Sequence, residues 1–195
     1  MLSRRWPEET FKVYFDEMER CVKGKCYWAL LHLVLVLPDV CAAMESVNGE
    51  SDDGRYRNWC KRYLSDDMIN PDDWYRMRCV ILHQGRTLDE KGKSQYSAFG
   101  FSQPNDSGGV VHRCIKEEKQ GKILQLDVGE MAKTLRAAMD KWFKWLEKNQ
   151  QPQIVENVAR NAVMLARLQD KPSMPILIEM PIVQSFTTSS PWPRS

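Results

Sequence analysis

One short stretch of the chain carries residue types that suit proton transfer and phosphate binding. It runs over residues 70–85 and contains Arg76, Arg78 and His83. A histidine accepts and releases protons near neutral pH, and the planar guanidinium of an arginine binds phosphate oxygens through paired donors. Together the two groups suit cleavage of RNA without a metal ion. The histidine would assist proton transfer at the 2′-hydroxyl or the leaving oxygen, and the arginine would stabilise charge that develops on the phosphate.

One histidine per chain supplies only one of the two proton-transfer roles in such a reaction. A second copy of the chain, related by a twofold axis, would supply the other role. This chemistry therefore favours a cleft that is built from two copies of His83 and its arginine.

Two arginines compete for the place beside His83. Arg76 precedes the histidine by seven residues and Arg78 precedes it by five. On an ideal α-helix, a separation of seven returns to nearly the same face, whereas a separation of five places the side chains well apart around the axis. Helical geometry therefore favours Arg76, although unwinding of the last turn at His83 would relax that argument.

The same residues also have a purely structural interpretation. A histidine just before a helix C-cap often only bonds the last carbonyl groups of its helix. Arginines in a helix that begins with acidic residues often pair with those residues, here Asp72 and Asp73, or with a neighbouring helix. In this interpretation, residues 70–85 form a buried helix whose polar groups serve the fold.

The remaining histidines and carboxylates are weaker candidates for chemistry. His32 lies on an apolar helix face, where a histidine is usually a satisfied core residue, and His112 lies in a predicted hairpin. Four carboxylates follow one another in sequence and do not face each other: Asp66, Asp67, Asp72 and Asp73. We interpret them as helix caps and solvated turns.

The stretch 70–85 also carries the start and stop signals of a short helix, which is predicted over 71–84. Asn70 suits the N-cap, Pro71 suits the first helical position, and Gly85 suits the left-handed residue that ends a helix. The last turns between these signals are apolar on every side, which is typical of a buried helix.

The rest of the chain is predicted to be mainly α, a bundle of about six helices in one domain over 1–170. Helices are expected over 7–22, 25–47 and 53–64, from Val128 after the cap residue Asp127, and from about Pro152. The second helix contains the apolar run 26–40, and we expect it to be a core helix with a kink or break at Pro38. Short segments at 96–101, 110–115 and 122–126 predict a small antiparallel β insert. A proline-containing extended arm, with a disordered end, is expected over 171–195.

Composition limits the classes of function. The net charge is only +2, which argues against a dedicated duplex-DNA binder but leaves a local basic patch at Arg55, Arg57, Lys61 and Arg62. The six cysteines form no C-x-x-C pair and the three histidines are scattered, so neither a metal site nor a cofactor is predicted. Reduced cysteines without a secretory signal favour the cytoplasm, and no membrane partner is expected.

The segment Arg78-Cys-Val-Ile-Leu-His83 matches the R-x4-6-H motif of HEPN domains, the higher eukaryotes and prokaryotes nucleotide-binding family. The stretches 26–41, 78–86 and 101–105 resemble a bacterial HEPN subgroup that is often carried on plasmids or mobile elements. This likeness covers most of residues 8–150.

The resemblance implies a helical domain that dimerises through the motif helix, residues 71–84. Many members are metal-independent endoribonucleases of defence or toxin–antitoxin systems, so RNA and an antitoxin or other protein are the implied partners. Arg78 and His83 carry over as catalytic residues, with Arg76 as the longer-spaced alternative. Other members are inactive, and the alternative function is a non-catalytic dimeric interaction or scaffold module that contacts its partners through the β insert and residues 172–183.

Overall fold

Helices dominate the protein, as the sequence predicts. A computed structural model describes residues 6–89, 94–104, 110–148 and 151–169. Within these ranges there are six α-helices, one π-helical segment and one three-stranded sheet. The helices are α1 (Trp6–Lys23), α2 (Tyr27–Glu45), α3 (Asp53–Tyr63), α4 (Pro71–Arg78), the π segment (Cys79–His83), α5 (Val128–Glu147) and α6 (Pro152–Gln169), and the strands are β1 (Ala98–Ser102), β2 (Cys114–Glu118) and β3 (Gly121–Asp127). The predicted arm over 171–195 lies outside the described residues.

Helix α2 forms the centre of the hydrophobic core. It packs against α1, α3, α5 and α6, and Leu30, Leu31, Val34 and Leu35 are completely buried. The sequence predicts a kink or a break at Pro38, and the break is absent, because the helix continues through the buried proline as far as Glu45. A single proline costs one internal hydrogen bond, and the packing around α2 outweighs that loss.

The apolar composition of α2 also meets the length and hydropathy criteria of a membrane span. Its 18-residue window has a mean hydropathy of 1.7, yet 56% of that window is buried inside the fold. Trp28, which is 55% exposed, is an exception near its start. This burial favours the predicted core helix.

Polar side chains of α6 cap the C-terminal end of α2 by donating hydrogen bonds to its last carbonyl groups. The Nδ2 atom of Asn161 donates to the carbonyl groups of Met44 and Ser46 at 3.0 Å each, and the Nδ2 atom of Asn157 donates to that of Glu45 at 2.9 Å. Arg160 donates to the carbonyl of Val47. The last carbonyl groups of a helix have no partner within the helix. Helix α6 therefore supplies the hydrogen bonds that the buried end of α2 requires.

The sheet has the order β1-β3-β2 and is mixed. The predicted antiparallel pairing is confirmed for β2 and β3, but β1 pairs with β3 in parallel, so the prediction of a purely antiparallel insert is wrong there. Strand β3 takes the central position with Leu124 and Leu126 buried, whereas every residue of β2 is exposed. Alternation of apolar residues marks strands and does not distinguish the two directions of pairing.

Replacement of Asn161 should lower the stability of the whole fold. Asn161→Ala leaves buried carbonyl groups of α2 unpaired, and we expect a loss of about 1–3 kcal/mol in the free energy of unfolding. Asn161→Asp should cost at least as much, because a carboxylate has no donor and meets the negative end of the helix dipole. Urea unfolding measures both. The matched control is Val163→Ala on an exposed position of α6, and an equal loss in that variant would contradict the capping role.

Candidate functional site

The π segment brings Arg78 and His83 together. The two residues lie five apart, and on an α-helix, at about 100° per residue, they would point about 140° away from each other. A π-helix is wider and closes its hydrogen bonds over five residues, so residues five apart lie above one another. The Nη1 atom of Arg78 accordingly lies 3.3 Å from the Nε2 atom of His83.

The backbone after the π segment turns sharply at the glycine that the sequence predicted. Gly85 has a φ of 60°, in the left-handed region. Its N–H donates to the carbonyl of Ile81 at 3.1 Å, and the N–H of Arg86 donates to that of Val80 at 2.9 Å. These bonds close the end of the wide turn, so His83 is held beside Arg78 by the backbone on both sides.

Arg78 is bound on its other side by a carboxylate from α2. Its Nε atom donates to Asp39 Oδ2, and the side chains of the two residues are 21% and 20% exposed. Ser51 holds the second oxygen of Asp39, because its hydroxyl donates to Oδ1 at 3.0 Å. The guanidinium also lies 5.6 Å from the ring centre of Tyr56 and 6.0 Å from that of Tyr75. The arginine is therefore fixed by the core, whereas the imidazole of His83 is exposed.

The contact between the two side chains assigns their hydrogen-bonding roles. A guanidinium has donors only, so a hydrogen bond between the two requires the Nε2 atom of His83 to accept. Burial alone would lower the pKa of Arg78, but the carboxylate of Asp39 outweighs this effect and raises that pKa above its ordinary value. The pair thus presents a basic nitrogen next to a fixed cation.

Arg76 points elsewhere and serves the fold. Its side chain is 8% exposed and that of Asp89 is 0% exposed, and two guanidinium nitrogens of Arg76 donate to one oxygen of Asp89 at 3.0 and 2.5 Å. Asp89 also accepts from the backbone N–H of Ser94 at 2.9 Å. Straight helical geometry favoured Arg76 as the partner of His83, but the π segment changes the face on which His83 lies.

Asp73 anchors the start of α4 and corrects another sequence interpretation. The predicted cap at Asn70 is confirmed, and Asp73 completes a capping box by accepting from the Asn70 backbone N–H at 2.9 Å. Asp73 is completely buried, so it does not belong to a solvated turn. Its carboxylate also accepts from the Ser94 hydroxyl at 2.6 Å and from the Gln95 side chain at 2.7 Å. It thereby ties the helix that carries Arg78 to the segment before β1.

The predicted basic patch on α3 is largely neutralised by carboxylates. Arg57 pairs with Asp53 at 2.8 Å and with Asp72 at 2.6 Å, and its guanidinium lies 3.9 Å from the ring centre of Tyr75. Arg55 pairs with Asp52 and Arg62 pairs with Glu45. Tyr75 therefore links the patch to Arg78, but the patch offers little unpaired positive charge to a nucleic acid.

The two other histidines make local hydrogen bonds. The Nδ1 atom of His32 lies 2.7 Å from the carbonyl oxygen of Trp28 one turn earlier. The Nδ1 atom of His112 accepts from the backbone N–H of Asp127 at 3.1 Å, at the start of α5. Burial lowers the pKa of His112, which keeps the ring neutral and able to accept. These hydrogen bonds of both histidines are to the backbone, whereas His83 contacts the side chain of an arginine.

A cavity of about 880 Å³ lies between α1 and α5, with Phe15, Met18 and Val22 in its lining, and neither Arg78 nor His83 lines it. Arg78 and His83 instead lie at the surface of the single chain. Within the described ranges, His, Cys, Asp and Glu side chains form no cluster of three or more that could hold a metal ion.

No protein-family model, curated protein or solved structure matches the chain. The functional interpretation therefore depends on the geometry of these residues and on the resemblance in the motif.

Two partners of the candidate site were missed at the level of sequence. Asp39 is the only acidic residue in the apolar run 26–40, and a lone carboxylate in a core helix signals a cation nearby. Ser51, which orients Asp39, follows a polar loop and has no such signal. The π segment is also invisible in sequence, because its residues follow an ordinary buried-helix pattern.

The two arginines should differ sharply in their importance for stability. Arg76→Met removes the buried cation that pairs with the carboxylate of Asp89, and we expect a loss of about 3–5 kcal/mol in the free energy of unfolding. Arg78→Met removes a partly solvated ion pair, for which a loss of about 1 kcal/mol is expected. Urea unfolding of both variants at one pH tests this order. A larger loss in Arg78→Met would overturn the structural assignment of Arg76.

His112 should make stability depend on pH. Its folded pKa is lowered below the unfolded value of about 6.5, so its contribution is complete above that value. Stability should then fall as the pH decreases from about 6.5 through the lowered folded pKa, because the unfolded chain takes up the proton more readily. His112→Asn keeps an acceptor that does not titrate, so its unfolding curves at about pH 7.5 and about pH 5.5 should differ less than those of the parent. Equal differences would contradict this role.

Proposed function

We propose that the protein is a HEPN-like, metal-independent endoribonuclease that acts as a cytoplasmic homodimer. The observation that carries the proposal is the 3.3 Å contact between Arg78 and His83 across the π segment. It places an exposed imidazole beside a cation that the core holds in position. These are the two groups that cleavage of RNA through its own 2′-hydroxyl requires.

The proposed cleavage step uses the lone pair of His83 and the N–H donors of Arg78. His83 Nε2 accepts the proton of a 2′-hydroxyl, and the 2′-oxygen attacks the adjacent phosphorus while the bond to the 5′-oxygen breaks. A phosphate oxygen replaces the imidazole as the acceptor for the Nη1 donor of Arg78, so the substrate itself releases the histidine lone pair. The leaving 5′-oxygen takes a proton from a protonated His83 of the second copy. The products are a 2′,3′-cyclic phosphate and a 5′-hydroxyl.

A half-buried stripe on α2 favours a second copy as the partner. His32, Val36, Asp39 and Ala43 recur at spacings of four, three and four, which places them on one face of the helix, and each is partly exposed. Asp39 on this stripe contacts Arg78. A twofold seam along the stripe and the π segment would bury the apolar side chains of Val36 and Ala43 and bring two Arg78–His83 pairs into one cleft.

A second candidate function is a non-catalytic interaction module. It is favoured by the pairing of Arg78 with Asp39 and of the α3 arginines with carboxylates, because little positive charge remains for RNA. In this case the Arg78–His83 contact only stabilises the end of α4. An RNA cleavage assay, combined with a measurement of the oligomeric state, separates the two functions.

Purified protein should cleave RNA in the presence of a chelator and leave cyclic phosphate ends. His83→Ala and Arg78→Ala should each lose at least about 100-fold in rate, because an acid–base group and a charge-stabilising group typically contribute that much or more. His112→Asn is the matched control, since it removes a histidine that lies outside the proposed seam and keeps a hydrogen-bond acceptor for the backbone N–H of Asp127.

The oligomeric state is measured alongside by size-exclusion chromatography with light scattering. Activity in His83→Ala equal to that of the parent would refute the catalytic assignment. An inactive parent whose dimer weakens in His83→Ala would establish the interaction module.

A further inference from the structure

The turn between α1 and α2 brings two cysteines together through its backbone. The N–H of Cys26 donates to the carbonyl of Cys21 at 2.8 Å, and the N–H of Lys25 donates to that of Val22 at 3.1 Å. Lys25 has a φ of 54°, in the left-handed region. These bonds define a Schellman motif, which ends a helix and places the side chains of its outer two residues side by side. Those two residues are Cys21 and Cys26.

The backbone bond limits the distance between the two residues. With standard bond lengths and a hydrogen bond of 2.8 Å, the Cα atoms of Cys21 and Cys26 lie at most about 6.7 Å apart. Disulfides span Cα separations of about 4.4–6.8 Å. The turn therefore satisfies this requirement without movement of either helix.

The two thiols differ in access. Cys26 is exposed, and its Sγ atom lies 3.5 Å from the carbonyl oxygen of Gly24. Cys21 is half-buried, and its pKa is raised first by burial and then by the neighbouring Cys26. A reagent from solution therefore meets Cys26 first, and Cys21 is the thiol next to it.

We propose that Cys21 and Cys26 are a reversible dithiol–disulfide pair that is oxidised by low-molecular-weight disulfides such as glutathione disulfide. The thiolate of Cys26 attacks one sulfur of the oxidant, forms a mixed disulfide and releases one glutathione thiolate. The thiolate of Cys21 then attacks the Cys26 sulfur, closes the intramolecular bond and releases the second glutathione. Two protein thiols are oxidised, one disulfide is reduced, and the two protons pass to the released thiolates.

Two of the remaining cysteines are poor competitors for the oxidant. Cys41 and Cys60 are buried, and burial raises the pKa of each thiol well above its ordinary value. Cys79 is half-buried in the π segment, and Cys114 is exposed on β2. Cys114 is the matched control, because it reacts with the same oxidant but has no Schellman partner.

The test exposes the full-length protein to a series of glutathione redox buffers and measures its intact mass after an acid quench. The parent should lose the mass of two hydrogen atoms, and Cys114 should gain one glutathione. Cys114→Ser should keep the two-hydrogen loss without the adduct. Cys26→Ser and Cys21→Ser should both abolish that loss. Tryptic peptides from the oxidised parent should show residues 21–23 joined to the peptide 26–55, and fragmentation of that peptide should place the link on Cys26 and not on Cys41.

Three results would overturn the proposal. The first is a stable glutathione adduct on Cys26 with no two-hydrogen loss in the parent. The second is a two-hydrogen loss that persists in Cys26→Ser, which changes an exposed position and should leave the melting temperature of the fold unchanged. The third is a tryptic cross-link that joins other cysteines in place of this pair.

Discussion

Burial of α2 is the constraint on which the other elements depend. A helix that is apolar over most of its length must be covered on nearly all sides, and α1, α3, α5 and α6 provide that cover. Burial also leaves two polar features in need of partners, the open carbonyl groups at its end and the carboxylate of Asp39. Helix α6 bonds the first with Asn157 and Asn161, and Arg78 pairs with the second. The place of Arg78 thus follows from the core.

The packing around α2 determines both the fixed position of Arg78 and the net charge of the candidate site. Arg78 is held by Asp39, Tyr56 and Tyr75, all of which belong to the packed interior or its edge, while His83 stands at the surface. A fixed arginine costs little further entropy when it binds an anion. The same carboxylate that fixes it also lowers its net attraction for that anion. Structural and chemical roles therefore share one set of contacts.

The parts of this architecture that depend on hydrogen bonds between residues close in sequence can be predicted from the sequence. The caps at Asn70 and Asp127 and the stop at Gly85 fix helix ends through hydrogen bonds between near neighbours, and the structure confirms all three. The parallel pairing of β1 with β3 could not be predicted, because strand direction depends on the path of the chain and not on alternation. The burial of Asp73 was missed for a similar reason, since its partners Ser94 and Gln95 lie 21 and 22 residues away.

The π segment determines which helix face each residue of the motif occupies, and the number of residues between Arg78 and His83 does not show this. In an α-helix, residues four apart lie on one face, and in a π turn residues five apart do so. Removal of one residue between Arg78 and His83, with a return to α geometry, would leave the two side chains facing each other. It would also rotate everything before the turn by about 100° against everything after it. The extra residue of the π segment therefore sets the rotation of the helix before it relative to the chain after it. This rotation lets α4 pack against the core while His83 lies on the side of Arg78 and Asp39.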